Sequence, residues 1–294
     1  MATIGIDCGA SKIEFMLAYK DISHPIQTFR LPTPKNDDYN NFLITLKEGI
    51  DKLIKVSLDP VEKIGIGVPG VINPTNKIIK KSSIWAIRDK NLEKDISNLV
   101  NIKTFVGNDS KCFALSEAIL GAGKNYKTLV GLIIGTGCAL GYVRNKKLIT
   151  GHHGMTGEIG HWVLNPNGDK CHCGRYGCIE TMISGKALEK LYFKKSGLHK
   201  KASEIYEKYK INDDAAILCW KIYLENFAQV LALIINLFDP EVIVLGGGVS
   251  NLDILYDQGI KYVGKYVFSD HCHTPIIKNE LGDSSGVFGA CLLH

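Results

Sequence analysis

The chain has 294 residues, 45% of them hydrophobic, and a formal net charge of +5 from 35 basic and 30 acidic side chains. That length supports a large core and, at ~150 residues per domain, about two domains. The basic residues form only short runs such as Lys80-Lys81, Lys146-Lys147 and Lys194-Lys195, and no stripe interleaves them with aromatics, which argues against a nucleic-acid track.

The opening MATIGIDCGASK has no basic n-region, apolar h-region or cleavage site, so no secretory leader is expected. The longest apolar run, residues 230–238, is interrupted by Asn236 and falls short of the ~20 residues a spanning helix needs. Nine cysteines, an odd number partly clustered and partly in apolar segments, suit a reducing compartment better than a disulfide framework. A cytoplasmic protein with neither membrane nor nucleic-acid partners is expected.

Strands are predicted at 3–6, 13–18 and 27–31, with the polar turn Asp7-Cys8-Gly9-Ala10-Ser11-Lys12 between the first two, a β-meander. Phe42, Leu46, Ile50, Leu53 and Ile54 recur at three- and four-residue spacing and predict an amphipathic helix over 38–56. An apolar strand at 63–68 closes on Pro69-Gly70, followed by a helix at 90–100, a strand at 103–106 and a helix at 110–120 entered through Gly107-Asn108-Asp109.

A similar order then recurs. Strands at 128–134 and 140–144 flank a glycine-rich turn, with a third at 147–149, and helices follow at 185–194, 202–209 and 213–238. A strand at 241–245 ends in Gly246-Gly247-Gly248, before a helix at 251–263, a strand at 275–277 and a last helix from Ser285. Hairpin strands followed by α/β alternation, twice over, predict an α/β protein of two related lobes facing a cleft rather than one doubly wound sheet. No low-complexity linker separates the halves, so the join near 107–125 reads as a hinge.

Residues 157–180 read GEIGHWVLNPNGDKCHCGRYGCIE and gather chemistry most densely. Cys171, Cys173 and Cys178, with His161 upstream, can close a tetrahedral zinc site, and Gly168, Gly174 and Gly177 supply the tight turns this needs. His172 or His153 are alternatives for the fourth ligand, and Cys-x-Cys is closer than the usual gap between zinc thiolates, so chance clustering is the competing reading. Glu158, His161 and Glu180 would make a rigid polar wall suited to a ligand with several hydroxyls, although each taken singly also suits a surface carboxylate or a plain metal ligand.

In Asp7-x-Gly9-x-Ser11-Lys12, a glycine lets phosphate approach the backbone, a hydroxyl and a lysine donate to it, and a carboxylate can hold Mg2+; an ordinary β-turn is the plainer reading. Gly135-Thr136-Gly137 occupies the equivalent position in the second half, and two such hairpins facing each other would clasp a polyphosphate. Gly246, Gly247 and Gly248 after an apolar strand can admit a base or ribose to the backbone, or simply turn the chain. Asp109 follows a strand and begins a helix, whose N-terminus favours the ionised form a general base needs; helix capping explains it equally well. Asn108 beside it can bond vicinal hydroxyls or serve as a turn residue. Trp85, Trp162 and Trp220 read as core or rim packing, and Cys8, Cys112, Cys138, Cys219 and Cys291 as small buried hydrophobes.

These residues together resemble the ROK-family sugar kinases, of the hexokinase–actin ATPase fold. The resemblance covers essentially the full length: DCGASK near the start, GIGVPG at 65–70, GNDSKCFALSEA at 107–118, IIGTG at 133–137, GEIGH at 157–161, CHCGRYGCIE at 171–180, DPEVIVLGGGVSN at 239–251 and GDSSGVFGA at 282–290. Through IIGTGC, CIETMISG and TPIIKNELGDSSGVFGA the chain is most similar to bacterial fructokinase/mannokinase-like members, and N-acetylglucosamine kinases share GNDSKCFALSEA almost as well.

The resemblance implies a two-lobed actin-like ATPase (hexokinase/ribonuclease H-like) fold, with a smaller lobe over 1–108 plus a C-terminal helix at 282–294, and a larger lobe over 109–281 carrying the zinc motif. It implies ATP-dependent phosphorylation of a hexose hydroxyl, fructose or mannose at the 6-position first, N-acetylglucosamine or N-acetylmannosamine as the alternative. Asp109 would be the general base, and Asn108, Glu158, His161 and Glu180 would hold the sugar. Gly9, Ser11, Lys12, Gly135, Thr136 and Gly137 would line the phosphate path, Asp7 would help hold Mg2+, and Gly246, Gly247 and Gly248 would face the adenosine. Structural Zn2+ would be bound by His161, Cys171, Cys173 and Cys178. Dimers are common in the family, so a homodimer is compatible.

Four departures from the family pattern stand out. Ala10-Ser11 replaces Gly-Thr in the first loop, Lys111 replaces an asparagine two residues after the proposed base, Ala139-Leu140 replaces glycine after the second turn, and SSIWAIRDK at 82–90 lacks a sugar-gripping asparagine. They motivate a second reading, a non-catalytic sugar sensor. A third, a sugar-responsive repressor, would carry an added N-terminal helix-turn-helix for which a chain opening on its first strand leaves no room.

Overall fold

The N-terminal meander forms as its pattern demands. In the computed structural model, which describes residues 1–35 and 38–294, β1 (Ala2–Cys8), β2 (Lys12–Ala18) and β3 (Gln27–Pro32) pair antiparallel. Phe15 lies opposite Ile6 on one side and Phe29 on the other, stacked on Phe29 at 5.1 Å between ring centroids. Helix α1 (Tyr39–Val56) starts where Asp38 accepts a hydrogen bond from the Asn40 amide, and buries Phe42, Leu46, Ile50 and Leu53. β4 (Val61–Val68) lies parallel to β1, and a small hairpin of β5 (Val71–Ile72) and β6 (Ile79–Lys80) follows. Then come α2 (Leu92–Val100), β7 (Lys103–Asn108) parallel to β4, and α3 (Asp109–Ile119). The sheet order is β3-β2-β1-β4-β7.

The second half rebuilds this order. β8 (Thr128–Ile134), β9 (Cys138–Arg144) and β10 (Lys147–Leu148) make another meander, followed by the cysteine loop and by α4 (Glu180–Ile183), α5 (Gly185–Ser196), α6 (Ala202–Lys210) and α7 (Asp214–Phe238). β11 (Val242–Gly246), α8 (Ile254–Asp257), β12 (Ile276–Lys278) and α9 (Ser285–Cys291) complete the chain. The order β10-β9-β8-β11-β12, with β11 parallel to β8 and β12, repeats the first sheet strand for strand. In each sheet the earliest strand is central, the hairpins run to one side and the parallel strands to the other. A shared topology without visible sequence identity is the duplication inferred from the pattern.

Two compact units result. Unit 1 comprises Met1–Lys124, Gly141–Thr156 and Leu281–His294, and unit 2 comprises Asn125–Leu140 and Gly157–Glu280. The expected boundary at 108/109 falls inside unit 1, because α3 packs on elements of that unit. Serine and glutamate fix the arrangement: the buried Glu117 of α3 accepts bonds from Ser285 Oγ at 2.8 Å and from the Leu281 amide at 3.1 Å. α9 lies flush on the sheet and on α3, since a Cβ on Gly65 would stand 1.7 Å from the Ala290 carbonyl oxygen and one on Gly289 1.8 Å from that of Cys112.

Several local expectations differ from the structure. The single helix over 251–263 is instead a 3-10 turn Gly248–Asn251, the four-residue α8 and a second 3-10 segment Gly259–Lys265. Gly259 presses on the Phe227 ring, where a Cβ would come within 2.9 Å, so packing against α7 sets the break. The β5–β6 hairpin and α4 carry no periodicity signal. The apolar run at 230–238 is the end of α7, the one helix among the described residues long and apolar enough to cross a membrane. It buries Trp220, Tyr223, Phe227 and Leu231, which recur at three- and four-residue spacing as in a core helix.

Replacing Gly65 by alanine forces a backbone collision that no rotamer relieves. Gly65→Ala is expected to lower unfolding stability in urea by about 2 kcal/mol or more, whereas the same change at Gly264, with open space around it, should cost under about 1 kcal/mol.

Candidate active site

In unit 1, Asp109 is placed by the turn that caps α3. Asn108 is the N-cap: its Oδ1 accepts from the Lys111 amide at 3.2 Å and from Ser110 Oγ at 2.6 Å, and its Nδ2 donates to the Gly70 carbonyl at 3.0 Å. The buried Asn108 is therefore a structural cap as well as a candidate ligand, and Asp109 itself is the first helical residue. Its carboxylate accepts from the Ser110 amide at 2.8 Å. Burial pushes the Asp109 carboxyl above the usual range, opposed by hydrogen bonds from the Ser110 and Asp109 amides and from the Asn108 side chain.

Asp7 lies near it at the end of β1. Its carboxyl is pushed up to about 7, first by burial, then by the charges of Asp109 and Glu14, with Lys12 and Arg30 pulling the other way. The carboxylate fills a niche that glycine keeps open: a Cβ on Gly286 of α9 would come within 2.5 Å of Asp7 Oδ2, and one on Gly67 within 3.4 Å of Oδ1. Glu14, buried, is held by Arg30 at 3.1 Å and by Ser284 Oγ at 2.9 Å. Glu14, Arg30 and Gly286 were not singled out from the sequence: Glu14 faces Asp7 across the β1–β2 pair, and Arg30 and Gly286 reach the site from β3 and α9. The Gly9-to-Lys12 turn beside Asp7 is closed by the Gly9 amide on the Lys12 carbonyl at 2.9 Å, and Thr33 Oγ1 donates to the Gly9 carbonyl at 2.7 Å.

The first two departures from the family pattern have local explanations. Ala10 is not among the positive-φ residues, so its methyl meets no backbone strain. Lys111 is buried and its ammonium donates to the Gly154 carbonyl at 2.6 Å. Leu140 is buried, and its amide bonds the Gly157 carbonyl at 3.0 Å, where a Cβ on Gly157 would stand 1.8 Å from the Leu140 oxygen. In the 82–90 segment Trp85 is 62% exposed under the Arg88 guanidinium, 3.4 Å from its ring centre, and is rim rather than core.

In unit 2 the structure gathers the second turn, the triple glycine and the start of α5. The Gly135 amide bonds the Gly137 carbonyl at 2.9 Å, and the Gly185 amide bonds the Gly135 carbonyl at 2.8 Å. Gly247, at φ 83°, runs so close that a Cβ would lie 2.6 Å from the Ile134 carbonyl oxygen, which only glycine tolerates. The space over the Cα of Gly135 and of Gly248 is open, as a ligand approaching the backbone requires. Thr136 sits between the two turn glycines, and Gly246 ends β11.

Glu158, half-buried, caps the 3-10 turn Ile159–His161, and the GEIGH segment lies directly on β9, since a Cβ on Gly160 would stand 2.0 Å from the Cys138 carbonyl oxygen. Glu180 begins α4; its Oε2 accepts from the Cys138 amide at 3.4 Å and its Oε1 pairs with His172 Nε2 at 3.0 Å. Trp162 is 51% exposed and Trp220 fully buried.

The cysteine loop fits a zinc ion. The donor atoms of His161, Cys171, Cys173 and Cys178 all lie within 4.8 Å of one another. Cys173 Sγ is 3.6 Å from Cys178 Sγ, and Cys171 Sγ is 3.6 Å from His161 Nδ1. A tetrahedron with Zn–S of about 2.3 Å and Zn–N of about 2.0 Å has edges of about 3.8 and about 3.6 Å. Burial pushes His161 down, towards the neutral imidazole a metal needs. Of the other candidates for fourth ligand, His172 is engaged with Glu180 and His153 stacks edge-on with His152 at 4.5 Å. The turns are tight enough to need glycine at Gly177, at φ 66°, whose Cβ would fall 1.4 Å from the Asn165 carbonyl oxygen.

Two five-stranded sheets of one strand order, with glycine turns after the central strand of each and a half-buried aspartate opening α3, define an actin-like ATPase fold of the sugar-kinase class. The model of the ROK family matches residues 3–294. The chain is 34% identical to N-acetyl-D-glucosamine kinase from Haemophilus influenzae over 300 residues, 98% of each protein. It is 35% identical to the Vibrio atlanticus enzyme of the same name over 304 residues, 99% of this chain and 98% of that one. The ROK hexokinase from Thermus thermophilus superposes with a TM-score of 0.90 at 26% identity, covering 99% of this chain and 97% of that one. The chain belongs to the ROK family, and it is an ATP-dependent sugar kinase.

The raised pKa of Asp7 makes a stability prediction. A carboxyl that holds its proton more tightly when folded contributes stability at low pH, and that contribution is lost as pH rises from about 4 through about 7. Without nucleotide or divalent ions, Asp7→Asn should therefore melt above the parent at pH 8 by about 2–4 °C, with a smaller gap at pH 5. An equal gap at both pH values would contradict the burial argument.

Proposed function

We propose that the protein transfers the γ-phosphoryl group of ATP to the 6-hydroxyl of N-acetylglucosamine in the cytoplasm. The names of two full-length relatives at 34% and 35% identity support this sugar. They displace the fructose or mannose expected from local motifs, because identity spread along the whole chain samples more of the sugar-contacting surface than three short segments do.

The observation that carries the mechanism is Asp109, a carboxylate at a helix N-terminus whose proton affinity burial raises. A base with raised pKa accepts a proton more readily, while the helix dipole keeps enough of it ionised. Asp109 takes the proton of the sugar hydroxyl as the hydroxyl oxygen bonds to phosphorus and the bond from phosphorus to the ADP oxygen breaks. Asp7 would hold Mg2+, which neutralises phosphate charge. Ser11, Lys12 and the Gly9, Gly135, Thr136 and Gly137 backbone direct donors at phosphate oxygens, and Gly246, Gly247 and Gly248 admit the adenosine. Asn108, Glu158, His161 and Glu180 bond sugar hydroxyls. His161, Cys171, Cys173 and Cys178 would hold a structural zinc, which would stiffen the loop and take no part in the transfer. That none of the nine cysteines forms a disulfide suits a reducing cytoplasm.

ADP release should be measured against fructose, mannose, glucose, N-acetylglucosamine and N-acetylmannosamine. The highest kcat/KM is expected with N-acetylglucosamine; a preference for fructose or mannose would overturn the substrate assignment, and no turnover with any sugar would favour the sensor. Asp109→Asn should lower kcat by about a thousandfold while sugar affinity by calorimetry changes only a few-fold. Metal analysis of the native protein should find close to one zinc per chain, and Cys178→Ser should lose it together with thermal stability.

A further inference from the structure

The imidazole between the two close-spaced cysteines makes a contact that none of these roles uses. His172 Nε2 lies 3.0 Å from Glu180 Oε1, and the His172 ring stands edge-on to that of His161, with centroids 4.9 Å apart and planes at 80°. Glu180 otherwise has little to hold it. It begins a helix of four residues whose N-cap makes no side-chain hydrogen bond, and its other oxygen has only a long bond of 3.4 Å from the Cys138 amide. That second oxygen occupies the space of the Cβ missing from Gly137, 2.5 Å from where it would stand, so the carboxylate can slide but has one strong tether, His172.

His172 itself is delivered rigidly. Its neighbours Cys171 and Cys173 both point donor atoms into the zinc cluster, and the turn is closed by the Cys171 amide on the Arg175 carbonyl at 2.8 Å and the Gly174 amide on the Cys171 carbonyl at 3.0 Å. At 72% side-chain exposure, its pairing with Glu180 adds little stability; what it supplies is direction. A carboxylate has about four acceptor sites, and with one taken by His172 and one by Cys138 the remaining two are aimed rather than free to rotate.

We propose that His172 is a positioning residue for sugar binding: by donating to Glu180 and bearing on the edge of His161, it lets the cysteine loop set the direction of two hydroxyl-binding side chains at once. This rests on the reading of Glu180 and His161 as sugar ligands. A competing role exists, since His161, Cys171, His172 and Glu180 also bring their donor atoms within 4.8 Å of one another and would suit a metal.

The test compares His172→Ala and His172→Gln with the parent, using whichever sugar the parent phosphorylates best, so a wrong sugar assignment does not disturb it. Zinc per chain, sugar affinity by calorimetry without ATP, and KM for sugar and for ATP are measured. His172→Ala should keep its zinc, weaken sugar affinity and raise sugar KM by about 3- to 30-fold, and leave the KM for ATP within about twofold. His172→Gln, whose amide can still donate to Glu180, should recover most of the loss. In a Glu180→Gln background, His172→Ala should add little further. Loss of zinc from His172→Ala would make His172 a metal ligand and overturn the proposal. Unchanged sugar affinity, or equal losses for sugar and ATP, would overturn it as well.

Discussion

The approach of α9 to the first sheet is the constraint on which unit 1 depends. The α9 backbone meets strand β4 at Gly65 and helix α3 at Gly289 without intervening side chains, at separations a single methyl group would forbid. The same helix places Gly286 against Asp7, so the contact that closes the core also shapes the niche for the carboxylate. Glu117 completes the junction by bonding Ser285 and Leu281, which ties the last turn of chain to α3 and hence to Asp109. Packing and chemistry in this unit are thus one arrangement seen from two sides.

Electrostatics follow from that burial. Asp7, Glu14 and Asp109 are crowded at one end of the sheet with Lys12 and Arg30, and the crowding raises the proton affinity of Asp7. Such a cluster is costly in the empty protein, and on the proposed reading a divalent cation with phosphates would relieve it. Unit 2 solves a different problem. Its glycine turn, triple glycine and α5 N-terminus leave the backbone open at Gly135 and Gly248, while the cysteine loop gathers three thiols and the His161 imidazole within 4.8 Å of one another.

Much of this was legible in the sequence where the signal is local. The periodicity of α1 and α7, the meanders and the glycine-ended strand β11 follow from residues within one element. The cysteine spacing pointed to the tight turns that bring Cys171, Cys173, Cys178 and His161 together. What stayed hidden depended on distant partners. The break at Gly259 is imposed by Phe227, and the fate of the Lys111 ammonium is decided by the Gly154 carbonyl. Whether the turn accepts Ala10 depends on its φ values, which are not written in the letters, and the structure shows no positive φ there.

The sequence by itself determined the class of the fold, the glycine-rich turns after the first strand of each half and the clustering of three cysteines with His161, since each is carried by short-range order in the chain. Only the tertiary structure decided that α9 returns to unit 1, that Glu14, Arg30 and Gly286 surround Asp7, and that His172 Nε2 meets Glu180 Oε1 at 3.0 Å. The physical reason is that proton affinity, side-chain direction and steric room are properties of neighbours in space, and those neighbours lie up to hundreds of residues apart along the chain.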